Sequence, residues 1–193
     1  MRFTTRREVL VLLGKTLLAL PVALALWYFA SPFLNEMAAH VAKTPIAVLS
    51  DSKVGTPVMR GRSVRFPITI YAPYQVGRAR APATTEVDVN PSIYTFGLAL
   101  FLALSVAAPA SRRTAPIVVG VIALSLVPAW GVTFDVLKQL ALARELEPYL
   151  AFPIFMREGI GLAYQVGALL LPTLVPVALW FGLNQRREAK TAA

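Results

Sequence analysis

The stretch GIGLAYQVGALLLPTLVPVALWFGL, Gly159–Leu183, runs for 25 residues without a charge and is followed at once by NQRREAK. About 20 apolar residues carry an α-helix through a bilayer. Backbone inside hydrocarbon has to satisfy its own hydrogen bonds, so such a segment restricts the fold to membrane helices. Arg186, Arg187 and Lys190 then fix the side on which the segment ends. Gln165, Pro172 and Pro176 lie within it. A plain lipid anchor has little use for them, and a buried amide in lipid commonly joins helices.

Three further apolar segments run from about Val9 to Phe33, Ile93 to Ala110 and Ala115 to Phe134. Each can cover a hydrocarbon core of about 30 Å, the second barely. The chain is 56% hydrophobic over 193 residues, too apolar for an ordinary soluble domain. The expected fold class is therefore membrane α-helical, with four transmembrane helices and a small β-containing extracytoplasmic loop domain. The first segment has a basic start in Arg2, Arg6 and Arg7 but is long for a signal peptide and ends in WYFASPF, so it reads as an uncleaved anchor.

Four crossings put Arg2, Arg6, Arg7, Lys15, Arg112, Arg113, Arg186, Arg187 and Lys190 on one side, which the positive-inside rule makes cytoplasmic. Lys43, Lys53, Arg60, Arg62, Arg65, Arg78, Arg80, Lys138, Arg144 and Arg157 fall opposite, mostly in one long loop, where the rule weakens. The expected organisation is a cytoplasmic N-terminus and first helix over residues 1–34, a β-rich periplasmic loop over 35–91, helices two to four over 92–183, and a basic tail over 184–193. The net charge of +9 flanks membrane segments, so no nucleic-acid partner is read from it.

In the long loop, Val64, Phe66, Ile68 and Ile70 alternate with Arg65, Pro67, Thr69 and Tyr71, the period of a half-buried strand. Pro67 lacks an amide hydrogen and points to an edge strand or a bulge. Thr84–Val89 reads as a further strand. After Phe134 the apolar pattern continues through Val136, Leu137 and Leu140, so helix three extends past the bilayer as an amphipathic piece until Pro148 and Pro153 break the path.

The candidate chemistry is sparse. Asp135 and Lys138, three residues apart, share a helix face and read as an interfacial ion pair. Gly159, Gly161, Gly167 and Ala168 give the last helix a small-residue side for close packing. Trp27, Tyr28, Trp130, Tyr164 and Trp180 fall near segment ends as interfacial anchors. His40 is the sole histidine and cysteine is absent. No metal-ligand spacing, phosphate loop or nucleophile–base pair is discernible, so neither a cofactor nor an enzyme activity is expected.

Three stretches carry a resemblance. They are VDVNPSIYTFGLALFLALSVAAP (Val87–Pro109), PAWGVTFDVLKQLAL (Pro128–Leu142) and LAYQVGALLLPTLVPVALW (Leu162–Trp180). Together they resemble the exosortase H-associated membrane proteins of Gram-negative bacteria. Asn90, Pro91, Asp135, Lys138, Gln139 and Gln165 carry most of its specificity. The resemblance implies an inner-membrane accessory of a protein-sorting system, whose partner is an exosortase, a multi-pass cysteine transpeptidase acting on IPTL-type tails. This chain has no cysteine and lacks that nucleophile. Asn90, Pro91, Trp130, Asp135, Lys138, Gln139, Tyr164 and Gln165 are the partner-contact candidates; the lipid bilayer is the other partner, and oligomeric state is open. The alternative reading is a small transporter or ligand sensor using Gln165 and the proline-kinked last helix.

Overall fold

The structure is a computed structural model, and it describes residues 6–71, 82–107, 114–150 and 152–191. Arg2, Arg78, Arg80, Arg112 and Arg113, counted above, lie outside the described residues. Helix α1 (Arg6–Ser50) has 45 residues, about 67 Å at 1.5 Å per residue, roughly twice a hydrocarbon core. The loop expected from residue 35 thus begins only after Ser50. Ala38, Ala39 and Ala42 are strong helix formers, so the end of the apolar run at Phe33 marks a change of surroundings for a helix that continues. Asp51, at φ 46°, ends it in the left-handed conformation common after a helix.

Four antiparallel strands follow: β1 (Ser52–Val54), β2 (Val58–Arg60), β3 (Ser63–Ile70) and β4 (Ala83–Val89). β4 pairs with β3 from Val64↔Val89 to Ile70↔Ala83. β1 takes Ile68–Ile70 and β2 takes Ser63–Arg65, so these two lie end to end along the other side of β3. Pro67 therefore stands in the central strand, not at an edge. Its carbonyl accepts the Gly55 amide at 2.8 Å. Its missing N–H faces the same way, into the break between β1 and β2, where no regular ladder bond is due. Gly61, at φ 62°, makes the two-residue link between Arg60 and Ser63.

The inner face of the sheet places Val54, Val64, Phe66, Ile68, Ile70, Val87 and Val89 in one core with Ala38, Ala39, Ala42 and Ile46 of α1. The alanines keep the helix surface low, so the sheet can approach closely. On the outer face Arg65 grips Asp88 through two bonds of 3.1 Å and reaches Glu86 at 2.6 Å. That grip holds the Asp88 carboxyl below the ordinary aspartate value.

After β4 come α2 (Ser92–Thr95), α3 (Gly97–Ala107) and α4 (Thr114–Leu142). A 3₁₀ turn (Arg144–Leu146) leads through Pro148 and Pro153 to α5 (Ile154–Gln165), a π turn (Val166–Leu170) and α6 (Leu171–Thr191). α4 runs past the apolar segment as expected, and its Val132, Val136 and Leu140 join the core under the sheet. Among the described residues three helices are long and apolar enough to cross a membrane: Arg6–Ser50, Ile117–Leu142 and Ile154–Asn184. The expected second span, Ser92–Ala107, is apolar but shorter, and residues 108–113 beyond it lie outside the described residues. Of the four expected spans, the described residues thus show three long helices and one shorter apolar helix.

Glycines set the helix spacing. A Cβ at Gly97 would lie 2.5 Å from the Pro172 carbonyl and 2.9 Å from the Pro176 ring, so α3 sits directly on α6. Gly120 lies under Phe101, and Gly131 under Tyr94. Pro172 gives no N–H to the carbonyl four residues back and its ring crowds that turn; the π turn just before it widens the backbone there. The small-residue side expected on the last helix divides: Gly167 packs against Trp130, whereas Gly159 and Gly161 face open space.

Two outcomes follow. Gly97→Ala should destabilise the detergent-solubilised protein by about 1–3 kcal/mol, because a backbone carbonyl blocks the added methyl; Gly159→Ala should leave thermal unfolding unshifted or raise it slightly. An NMR titration should place the Asp88 midpoint below that of a free aspartate, and Arg65→Met should return it upward. Since the folded value is depressed, the contribution of this pair is present above the ordinary carboxylate range and is lost as pH falls through the folded value.

Candidate functional site

The polar residues singled out along the chain gather where the sheet meets the helices. β4 ends at Val89, and Asn90 accepts the Ser92 amide on its side-chain oxygen at 3.1 Å. Pro91, at φ −66°, already has the helical backbone, and its carbonyl accepts the Tyr94 amide at 2.9 Å. Asn90 and Pro91 are thus the device that turns a strand into a helix. The device aims Tyr94 inward, and its ring covers Gly131 on α4.

The Tyr94 hydroxyl donates to Asp135 Oδ2 at 2.9 Å. Lys138 Nζ lies 2.9 Å from Asp135 Oδ1, the spacing expected for neighbours on one helix face. Gln139 Nε2 donates to the same oxygen at 3.3 Å and to the Asp88 carbonyl at 3.1 Å. Asp135 is buried, 8% exposed, so a carboxylate left alone there would be costly; three donors from two elements hold it. Lys138 Nζ also sits 3.5 Å from the ring centroid of Tyr164 on α5, a cation–π contact. Trp130 donates its indole N–H to the Ala163 carbonyl at 3.1 Å and stacks on Phe134 with centroids 4.7 Å apart.

Further contacts carry this belt round to α1. Trp27 donates to Thr95 Oγ1 at 3.0 Å. Asn35, fully buried, donates to Ser92 Oγ at 2.9 Å and to the Arg62 carbonyl at 3.0 Å. The Arg62 guanidinium lies 3.4 Å from the centroid of Tyr28. The tip of the β2–β3 hairpin therefore comes back down to the level of Tyr28 and Asn35.

The structure thus brings together Asp135, Lys138, Gln139 and Tyr164, places Trp130 one turn below them, and uses Asn90 and Pro91 to orient their partner Tyr94. Gln165 stands apart. Helix packing or contact with a partner is expected of it; it is exposed, and its side chain has no hydrogen-bond partner among the described residues. Successive helix residues diverge by about 100°, so placing Tyr164 inward turns Gln165 out. Tyr94, Asn35 and Asp88 were missed by the sequence reading. The signal for Tyr94 was its place in the same short motif as Asn90 and Pro91.

Chemically, the cluster is a fastener. Its carboxylate, ammonium, amide and hydroxyl satisfy one another and tie α2, α4, α5 and β4 at one level. Among the described residues no group of three or more histidine or acidic side chains could hold a metal ion, and His40 is exposed on α1. The family model described as exosortase H-associated membrane protein matches residues 6–187. No curated protein and no solved structure matches the chain.

Removing one donor from a buried carboxylate should cost about 1–3 kcal/mol. Tyr94→Phe and Asp135→Asn are each expected to lower the melting temperature in detergent. The double variant should fall short of the sum, because both changes break one bond. Full additivity would show that Tyr94 and Asp135 act independently.

Proposed function

The chain belongs to the exosortase H-associated membrane protein family, and from that membership we propose that it is a non-catalytic accessory subunit of an exosortase-type sorting system in the bacterial inner membrane. The family match over residues 6–187 is the observation that carries this reading. The architecture supports it. The membrane helices continue outward as a rigid mount for a small sheet, and the polar cluster at their junction is spent on holding that mount together. Such an object presents a surface at a fixed height above a membrane. A membrane-embedded transpeptidase that works at the same height, or its substrate, is the natural partner.

Both termini are cytoplasmic in this reading. From Tyr164 to Asn184 the chain covers about 30 Å, the hydrocarbon thickness. The belt of Tyr28, Trp27, Trp130, Asp135, Lys138 and Tyr164 then marks the outer boundary, where aromatic rings and paired charges are tolerated. Helix α3 enters the membrane as the fourth apolar helix in this reading, and the sheet lies in the periplasm. The outward position of Gln165 removes the main support for a transporter built around it.

A tagged chain extracted in mild detergent from cells that express both proteins should bring exosortase H down with it. Repeated recovery without the exosortase would end the proposal. A reporter fused after Ala193 should be active only in the cytoplasm, and a periplasmic signal would reverse the orientation.

A further inference from the structure

One stripe of the bundle crosses the proposed membrane boundary without changing character. On α5 and the π turn, Phe155, Leu162 and Leu169 recur every seven residues and are 76%, 63% and 66% exposed. Glu158, Gly159, Gln165 and Val166 fill the positions between them and are exposed too. Leu169 lies in the hydrocarbon, and lipid tails suffice to cover it. Phe155 does not. It sits nine residues before Tyr164, about 13 Å above the belt, beside the exposed charges of Arg157 and Glu158. A large apolar side chain held out at that height marks a surface meant for contact.

The polar members of the stripe define the occupant. Gln165 offers an unused amide at the boundary, and Glu158 has no ion pair among the described residues. Phe155 and Leu162, seven residues apart on α5, lie on one face as in the seam of paired helices, and Leu169 of the π turn continues the exposed side. Gly159 and Gly161, with nothing near their Cβ positions, let a neighbouring backbone come close. A second copy in a parallel two-fold pair would set Glu158 against Glu158, which opposes self-association there.

We propose that Phe155, Glu158, Leu162, Gln165 and Leu169 form the docking stripe for a transmembrane helix of the exosortase. That helix continues beyond the outer boundary, carries a basic side chain level with Glu158 and offers a hydrogen-bonding side chain to Gln165. The proposal rests on the association reading and adds the surface through which it acts.

Photo-crosslinking tests it. A benzophenone amino acid is placed singly at Phe155, Leu162 and Leu169 in the full chain, and at Leu18 and Ile122 as exposed controls on α1 and α4. Irradiation of membranes holding chain and exosortase H should yield the mixed adduct from the three stripe positions and at most traces from the controls. Glu158→Lys should cut that adduct about tenfold by setting like charges together, and Glu158→Gln should cut it less. Mixed adducts from Leu18 or Ile122 instead would leave the association standing and overturn the stripe. Adducts of twice the chain mass would replace the exosortase with a second copy. No mixed adduct from any position, from a tagged chain that still co-purifies with the exosortase, would also overturn the stripe; loss of co-purification as well would take the association reading with it.

Discussion

Most of this structure depends on one carboxylate that has been taken out of water. Asp135 lies where α4 leaves the apolar part of the chain, and it is buried there with Tyr94, Lys138 and Gln139 as donors. A charge in that position is tolerable only while its donors stay in place. Each donor in turn fixes something else. Tyr94 fixes the angle at which β4 becomes a helix, Gln139 fixes the end of β4 through the Asp88 carbonyl, and Lys138 fixes α5 through Tyr164. The interaction supplies direction more than strength, since it specifies which faces of three helices meet and at what height.

Two different packing principles operate on either side of this knot. Below it there is no hydrophobic drive between helices, and contact comes from shape: glycine against proline at Gly97, glycine against rings at Gly120, Gly131 and Gly167. Above it, in the proposed placement, water is the solvent, and burial drives the sheet onto alanine and valine faces of the helices. A single helix, α1, serves both regimes. Its first half, after Arg6, Arg7 and Glu8, is apolar on nearly every side apart from Lys15 and Thr16, and its second half carries one buried stripe of Ala38, Ala39, Ala42 and Ile46.

Much of this was legible in the sequence where a residue clashed with its surroundings. Asp135, Lys138, Gln139 and Tyr164 stood out as polar or aromatic residues at the end of apolar runs, and the alternation from Val64 to Ile70 gave the main strand. What escaped has physical causes. Asn35 follows the apolar run through Phe33 and Leu34 and looks like the first residue of a loop, because hydropathy reports the end of lipid and says nothing about the end of a helix. Pro67 reads as an edge residue until the break between β1 and β2 is seen. Tyr94 resembles an interfacial anchor, and only the packing of α2 on α4 shows its hydroxyl turned inward. Gln165 lies inside an apolar segment, where a buried amide commonly joins helices, yet the turn of the helix brings it to the exposed side.

The inverted hairpin carries a consequence for how the protein is made. Its tip returns to the base of the emergent part of α1, where Asn35 holds the Arg62 carbonyl and also Ser92, 57 residues further along the chain. That closure cannot form until the chain has been made through Ser92. Strand β3 lacks its longest partner until β4 emerges, and β4 is joined to α2 by only Asn90 and Pro91. The sheet is therefore completed only once β4 and the helix that follows it are both in place. Until then β3, though paired with β1 and β2 on one side, has its other edge open, the state in which a nascent chain is most exposed to proteases and to wrong partners.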